Sequence, residues 1–314
     1  MFRAWNFLVI LPLLFALRKL SRKQRRQSII SQSDERVLIL GASSGIGRRI
    51  AHKYALRGAR VCVVGRRDDK VTVVVKECET DNTIGITADF GNVGDMIRVR
   101  SKLEKEWAGI DTVVVAAGVS ALRPLLEVAG VNSEQNSDAS EAGIKFAVNA
   151  AEAAIKGNYI GPMVAAITFI PLLRRTSRSP SILLISSLGA VIPAPTRSMY
   201  GSTKSASLLL YQALAIEHPS IKFSFVLPST VEGDFRASAV DQLSSTIQAS
   251  DHTPTDSKSA LQIDDVAQRC IQAVDQADKV IFMPGTMRLG HLLYWLWPSF
   301  VEKKAMEKYN FTAD

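Results

Sequence analysis

Cysteine is scarce in this chain, with three among 314 residues. Cys62, Cys78 and Cys270 are scattered and odd in number, which argues against a disulfide framework or a cysteine-rich zinc site and points to a reducing compartment. Histidine is nearly as rare. His52, His218, His252 and His291 lie far apart and share no ligand spacing, so no metal site is indicated. No stretch of eighteen uninterrupted apolar residues occurs, which excludes a polytopic membrane protein. Ser186-Ser187 is not set in G-x-S-x-G, leaving a hydrolase reading without support. Apolar content is not lacking: 47% hydrophobic against 22% charged residues excludes a disordered chain. The length suits one large domain or two small ones.

Acidic residues are absent from the first 26 positions, which hold seven of the 38 bases. The other 31 bases face 30 acids, so the formal net charge of +8 belongs to the amino-terminal tail and the body is near neutral. Nucleic-acid binding is therefore not expected. Phe7 to Leu17 is an unbroken apolar run with Trp5 ahead of it, Pro12 in its middle and a basic cluster behind. Eleven helical residues cover about 17 Å, short of a hydrocarbon core of about 30 Å. Two geometries fit: a short tilted signal-anchor whose Arg18 and Lys19 snorkel, or a shallow monotopic insert. The excess of bases behind the run places the body in the cytosol. A cleaved secretory signal would carry its charge ahead of the run, and a mitochondrial presequence would be amphipathic rather than solidly apolar. Residues 1–26 are thus expected to be a membrane anchor with a basic flank, a transit peptide or a loose tail being the other readings. The polar stretch 27–35 reads as a linker.

From Arg36 onward, short apolar runs alternate with helical patterns. Strands are expected at 36–40, 60–64, 83–87, 111–116, 181–186, 221–227 and 279–283, all Val/Ile/Leu-rich and two-sided apolar, as buried parallel strands are. Helices are expected at 45–57, 92–107, 145–175, 199–217 and 264–277. The alternation predicts an α/β fold, a Rossmann-like doubly wound parallel sheet with helices on both faces, in one domain over 36–285. Val71 to Val75 (VTVVV) is strand-like by propensity where the pattern requires a helix, and tertiary context is expected to win. The stretches 130–143 and 244–259 read as polar surface insertions. Residues 286–314 contain LGHLLYWLWPSF, which fits a core helix, a substrate lid or a second membrane contact.

The motif with most chemistry opens at Val37: VLILGASSGIG, in which Gly41, Gly45 and Gly47 follow a strand and begin a helix. Glycines there permit a tight turn and let a pyrophosphate reach the backbone amides and the helix amino terminus. Far downstream stands Tyr200-Gly-Ser-Thr-Lys204, whose Tyr and Lys share one helix face. A phenol with a pKa near 10 is a weak acid–base group at neutral pH, and an adjacent ammonium favours the phenolate. Ser187 stands thirteen residues before Tyr200 at the end of a strand, and Asn158-Tyr-Ile-Gly161 lies farther back.

Taken together, these four elements resemble the short-chain dehydrogenase/reductase family over about 36–284. The loop matches its G-x-x-x-G-x-G cofactor motif, Tyr200 and Lys204 its YxxxK, Ser187 its catalytic serine, and Asn158 its N-x-x-G helix. The resemblance implies that Tyr200 is the acid–base catalyst, that Lys204 holds the nicotinamide ribose and tunes Tyr200, that Ser187 hydrogen-bonds the carbonyl oxygen as it gains charge, and that Asn158 anchors a proton-relay water. The implied cofactor contacts are Gly41, Ser43, Ser44, Gly45, Ile46, Gly47, Asp89, Ala117, Gly118, Tyr200, Lys204 and Val231. Asp89 has a second reading as a helix N-cap. A dimer or tetramer through the helices near 145–175 and 199–217 is also implied.

The second strand speaks to the cofactor. An acid about twenty residues past the glycine loop binds the ribose 2′-OH of NAD, whereas an Arg accommodates the 2′-phosphate of NADP. Here the strand ends VVGRRDD, with Gly65 at the acid position and Arg66-Arg67 next, so NADP(H) is expected, with Asp68 and Asp69 as the counter-indication. The chain departs from the family where N-N-A-G becomes Val115-Ala116-Ala117-Gly118 and where a P-G turn becomes Pro228-Ser229. The sequence thus predicts a membrane-associated enzyme that moves hydride between NADP(H) and a lipophilic ketone or alcohol of steroid, retinoid, sphingoid or acyl type, on the endoplasmic reticulum or a lipid droplet with a cytosolic body. It is similar to the membrane-bound hydroxysteroid, retinol and 3-ketosphinganine members. The other expectation is a catalytically silent cofactor-binding scaffold or sensor.

Overall fold

The computed structural model describes residues 26–131, 138–242 and 260–312. The apolar run at 7–17, residues 132–137 of the stretch 130–143 and all of 244–259 lie outside the described residues.

Seven parallel strands form one sheet: β1 Arg36–Leu40, β2 Arg60–Gly65, β3 Thr83–Thr87, β4 Thr112–Val115, β5 Ser181–Ile185, β6 Lys222–Pro228 and β7 Val280–Met283. Their order is β3-β2-β1-β4-β5-β6-β7. The strands fall where the apolar runs predict, with ends moved by a residue or so, and they pair in register, Leu38 opposite Cys62 on one side and Val113 on the other. Helices α1 Gly45–Leu56, α2 Asp68–Glu77 and α8 Ile263–Gln276 cover parts of the sheet faces together with α3 Val93–Trp107, α6 Gly161–Thr176 and α7 Ser198–Glu217. The core divides accordingly. One layer packs Leu38, Leu40 and Phe225 of the sheet with Met96 of α3, Phe169 of α6 and Tyr211 of α7, while the other packs Val37 and Ile39 with Tyr54 of α1 and Ile271 of α8. All three cysteines are buried and free.

The VTVVV stretch is helical. Asp68 and Asp69 lie in the first turn of α2, where the helix dipole favours acids, and Val71 and Val74 are buried three residues apart on one face. Gly85 of β3 makes the room: a Cβ there would lie 2.7 Å from Val71 Cγ1 and 3.0 Å from Val75 Cγ2. The long helix expected over 145–175 is continuous from α5 Glu141–Ile155 through a π turn at Lys156–Ile160 into α6. It is apolar and long enough to cross a membrane by composition, yet much of it is packed within the domain.

Residues at the amino ends of the strands form a polar lock. The guanidinium of Arg26, 5% exposed, pairs with buried Glu35, and also donates to the Asp111 carbonyl at 3.1 Å and the Ser179 carbonyl at 3.0 Å. Glu35 accepts from Thr112 Oγ1 at 2.6 Å, while Arg36 pairs with Asp111 at 2.8 Å. Arg26, grouped by sequence with the basic flank, is therefore committed inside the domain. After β7 the chain forms a short helix α9 Met287–Leu296 and then α10 Pro298–Tyr309. The remaining short helix, α4, is Leu125–Val128.

Candidate active site

In this strand order the connections reverse between β1 and β4, opening a crevice at the carboxyl ends of those strands. The glycine loop fills that crevice. Gly41 has φ +88°, and a Cβ on it would lie 2.5 Å from Ala117 Cα, so only glycine lets the loops after β1 and β4 touch there. Ala116 and Ala117 both donate their amides to the Leu40 carbonyl at 2.9 Å. A Cβ on Gly47 would lie 2.2 Å from the Gly41 oxygen, which seats the first turn of α1 on the loop. Ser44 is the N-cap of α1, makes no side-chain cap bond and is exposed; Gly45 is exposed, and the first turn holds no acid. That helix end is open to an anion. Ser43 lies against Gly65 and Ile46 packs on the core below.

The end of β2 bears on the choice of nucleotide. Arg66 and Arg67 are exposed and make no side-chain hydrogen bond or ion pair among the described residues. Asp68 accepts a hydrogen bond from Thr87 Oγ1 at 2.6 Å, which turns it towards β3. Asp89 is not the N-cap of α3. Asn92 holds that position, accepting from Asp95 N at 3.0 Å, while Asp89 Oδ1 accepts from Gly91 N at 3.0 Å in a local turn. Val231 forms a bridge with Leu261 beyond the end of β6.

The proton-transfer candidates gather at the carboxyl ends of β4 and β5. Ser187 follows β5 in extended conformation, its Oγ accepting from Gly189 N at 3.1 Å and standing close enough to the Tyr200 hydroxyl to act on its pKa. The start of α7 is pressed onto this loop. A Cβ on Gly201 would lie 2.8 Å from the Gly189 oxygen, and Ser205 Oγ donates to the Ala190 carbonyl at 2.6 Å. Burial holds the Tyr200 phenol above its ordinary pKa; the Ser187 hydroxyl and the nearby Arg197 charge act the other way. Lys204 Nζ donates to the Ile185 carbonyl at 3.3 Å, and burial lowers its pKa to about 8.

Asn158, in the π turn, is buried beside Lys204. Both its amide hydrogens are committed, one to the Val119 carbonyl at 3.0 Å and one to Thr203 Oγ1 at 3.1 Å, and its Oδ1 accepts from Val119 N at 2.9 Å. Its side chain therefore braces the β4 loop against α7. Gly118 fits between: a Cβ there would lie 2.8 Å from Asn158 Oδ1 and 3.0 Å from Lys204 Nζ. Ser187, Tyr200, Lys204, Asn158 and Gly118 are thus gathered around one helix start.

Several neighbours have no motif to announce them. Phe235, in a short turn at Asp234–Ser238, meets the Tyr200 ring edge-on with centroids 6.0 Å apart. Arg197 donates to the Ala121 carbonyl at 3.0 Å, with its Cζ 6.0 Å from the Tyr309 ring centroid. His291 of α9 hydrogen-bonds the Val191 carbonyl at 3.0 Å. The carboxy-terminal helices therefore lie against the loop that carries Ser187. Arg197 stands three residues before Tyr200, a spacing that shares a helix face and was open to notice. Nothing local in the sequence links Tyr309 to this place.

Residues 35–244 match the short chain dehydrogenase family. The chain belongs to that family. Among curated relatives it is 32% identical over 202 residues to an 11-beta-hydroxysteroid dehydrogenase-like 3 of Arabidopsis thaliana, an alignment covering 63% of this chain and 59% of that protein's length. It is 26% identical over 298 residues to dehydrogenase/reductase SDR family member 7B of Danio rerio, covering 91% and 88%. Among solved structures, an alcohol dehydrogenase from Thermococcus sibiricus complexed with 5-hydroxy-NADP superposes with TM-score 0.61 at 22% identity, covering 79% of this chain and 94% of the other. A short chain dehydrogenase/reductase from Burkholderia phymatum in complex with NAD gives TM-score 0.70 at 19% identity, covering 87% and 97%. These likenesses show a Rossmann-like sheet of the short-chain dehydrogenase kind.

Proposed function

We propose that this chain is an NADP(H)-dependent oxidoreductase that interconverts a lipophilic ketone and its alcohol. The observation that carries the reading is the Ser187–Tyr200 hydroxyl pair, set beside buried Lys204 at the carboxyl ends of the strands and next to the glycine cradle. When bound, the nicotinamide supplies or accepts the hydride. Tyr200 hands a proton to the carbonyl oxygen in reduction and takes it back in oxidation. Ser187 hydrogen-bonds the same oxygen as it gains charge. Lys204 keeps a positive charge next to the ribose position, and Asn158 holds the β4 loop so that Gly118 leaves room for it.

Preference for the 2′-phosphate is supported by Arg66 and Arg67, two exposed guanidinium groups without partners among the described residues, together with the commitment of Asp68 to Thr87. A lipophilic substrate is supported by the apolar surface beside the site. Leu289, Leu292, Leu296 and Trp297 are exposed, and Trp295 is 74% exposed, on helices that touch the Ser187 loop. That surface also supports a membrane-associated enzyme, on the endoplasmic reticulum or a lipid droplet.

The test is a fluorescence titration of the full chain in detergent with NADPH and NADH, followed by a carbonyl screen. NADPH is expected to bind at least tenfold more tightly, and the preference is expected to collapse in Arg66→Ala/Arg67→Ala. Tyr200→Phe should lower kcat by about three orders of magnitude or more with NADPH affinity nearly intact. Turnover like the wild type in that variant overturns the assignment. NADPH binding without turnover of any ketone or alcohol would favour the silent scaffold.

A further inference from the structure

The mouth of the candidate site carries two arginines that the reaction does not require. Arg197 is the N-cap of α7, three residues before Tyr200. Its Nη1 donates to Ala121 O at 3.0 Å and lies 3.4 Å from Ser120 Oγ, with the Tyr309 ring against its Cζ. Arg236 follows Phe235, the residue that packs on Tyr200. Ser120 joins the two elements, because its hydroxyl takes Arg197 while its amide donates to Ser238 Oγ at 3.1 Å. Among the described residues neither guanidinium has a carboxylate partner, and the Arg236 guanidinium makes no hydrogen bond. The acids nearby do not neutralise them. Asp241 is buried and accepts the amides of Leu122 and Arg123 at 2.7 Å each, Glu232 accepts from Ile263 N at 3.0 Å, and Asp234 is exposed without an ion pair.

We propose that Arg197 and Arg236 form an anion-binding subsite and that the substrate is a lipophilic carboxylate bearing the reacting ketone or alcohol. Partial burial and the Arg197 charge push the Arg236 guanidinium below its ordinary pKa, with Tyr309 acting the other way, so the two like charges bear on each other without a carboxylate partner among the described residues. An incoming carboxylate relieves that repulsion, and its two oxygens match the planar guanidinium fork. Arg197 is already oriented by two oxygen acceptors and an aromatic face, so little order is lost when the anion arrives. Arg197 caps the helix three residues before Tyr200 and Arg236 adjoins Phe235, which packs on the Tyr200 ring, so the subsite lies within one small molecule's length of the reacting group. The rest of the substrate runs along Phe235 and the carboxy-terminal helices.

The inference rests on the Tyr200-centred reading of the site, and the experiment separates the two. The full chain in detergent, saturated with NADP⁺, is titrated with 4-phenylbutanoate and with its neutral isostere 4-phenylbutanamide by calorimetry. The acid is expected to bind at least tenfold more tightly than the amide, and Arg236→Gln is expected to bring that ratio below about threefold. Arg236 is a half-buried turn residue without side-chain bonds, so the variant should fold, and its melting temperature checks this. A second variant, Arg236→Glu, should reverse the preference. Equal binding of acid and amide, including none of either, overturns the subsite, as does a preference that survives Arg236→Gln and Arg236→Glu. NADP⁺ binding is read in the same samples. If it fails, the cofactor reading falls and the subsite with it; if it holds while the acid preference is absent, only the subsite falls.

Discussion

Lys204 is the residue whose burial bears most directly on both stability and function. It is 6% exposed, donates only to the Ile185 carbonyl and has no carboxylate beside it among the described residues. Burial lowers its pKa from 10.5 to about 8. The unfolded chain therefore binds more protons than the folded one between about pH 8 and 10.5, and folding stability gains from raising the pH across that window. Below pH 8 both states are protonated and the folded state bears the whole burden, about 3 kcal/mol by the usual conversion of a pKa difference. Lys204→Met should therefore raise the stability of the cofactor-free protein at pH 7 by roughly that amount, with the gain fading by pH 10.5. Urea denaturation at pH 7 and pH 10 measures both numbers, and a destabilised variant at pH 7 would contradict the account. The same variant should lose activity.

At the scale of elements, most of the sheet was legible because parallel strands buried on both faces are written as short apolar runs, and Val37 to Leu40 could hardly be anything else. The VTVVV stretch was ambiguous by propensity, and a distant residue, Gly85, lets its branched side chains lie against β3. The YxxxK pair and the glycine loop were legible from their spacing. The placement of Arg197, Phe235 and Tyr309 around Tyr200 was not, since it depends on how three loops and the last helix meet. The π turn at Lys156–Ile160 was equally invisible, and it is what turns Asn158 inward. That turn depends on a close contact: a Cβ on Gly161 would lie 2.4 Å from Phe90 Cε2. Gly161→Ala should cost about 1–3 kcal/mol through overpacking, although alanine is the better helix former. Phe90→Leu in the same background should recover part of the loss, a coupling that a double-mutant cycle in urea reads directly. Additive losses would show that the Phe90 contact is not the cause.

For the whole molecule, the decisive geometry is that the two ends of the sheet carry different duties. The carboxyl ends of the strands hold the candidate site and the apolar carboxy-terminal helices. The amino ends hold Arg26, Glu35, Arg36 and Asp111, so the chain before Arg26 joins the domain at the opposite pole, separated by at least the strand length of about 17 Å. The Arg26–Glu35 pair fastens that junction in a dry setting, where losing one partner leaves a buried charge uncompensated at a cost of about 3–5 kcal/mol. A fragment beginning at Arg26 should therefore be more stable than one beginning at Gln27 by about that amount, although they differ by one residue. Replacing the pair together, Arg26→Met with Glu35→Leu in the longer fragment, should recover most of the difference, because apolar groups of similar size carry no desolvation burden. Equal melting temperatures for the two fragments would mean that the pair contributes nothing net. A large difference would establish that the domain begins at Arg26, so that membrane-binding tests by deletion must end at residue 25 for any loss of binding to be assigned to the tail and not to a weakened fold.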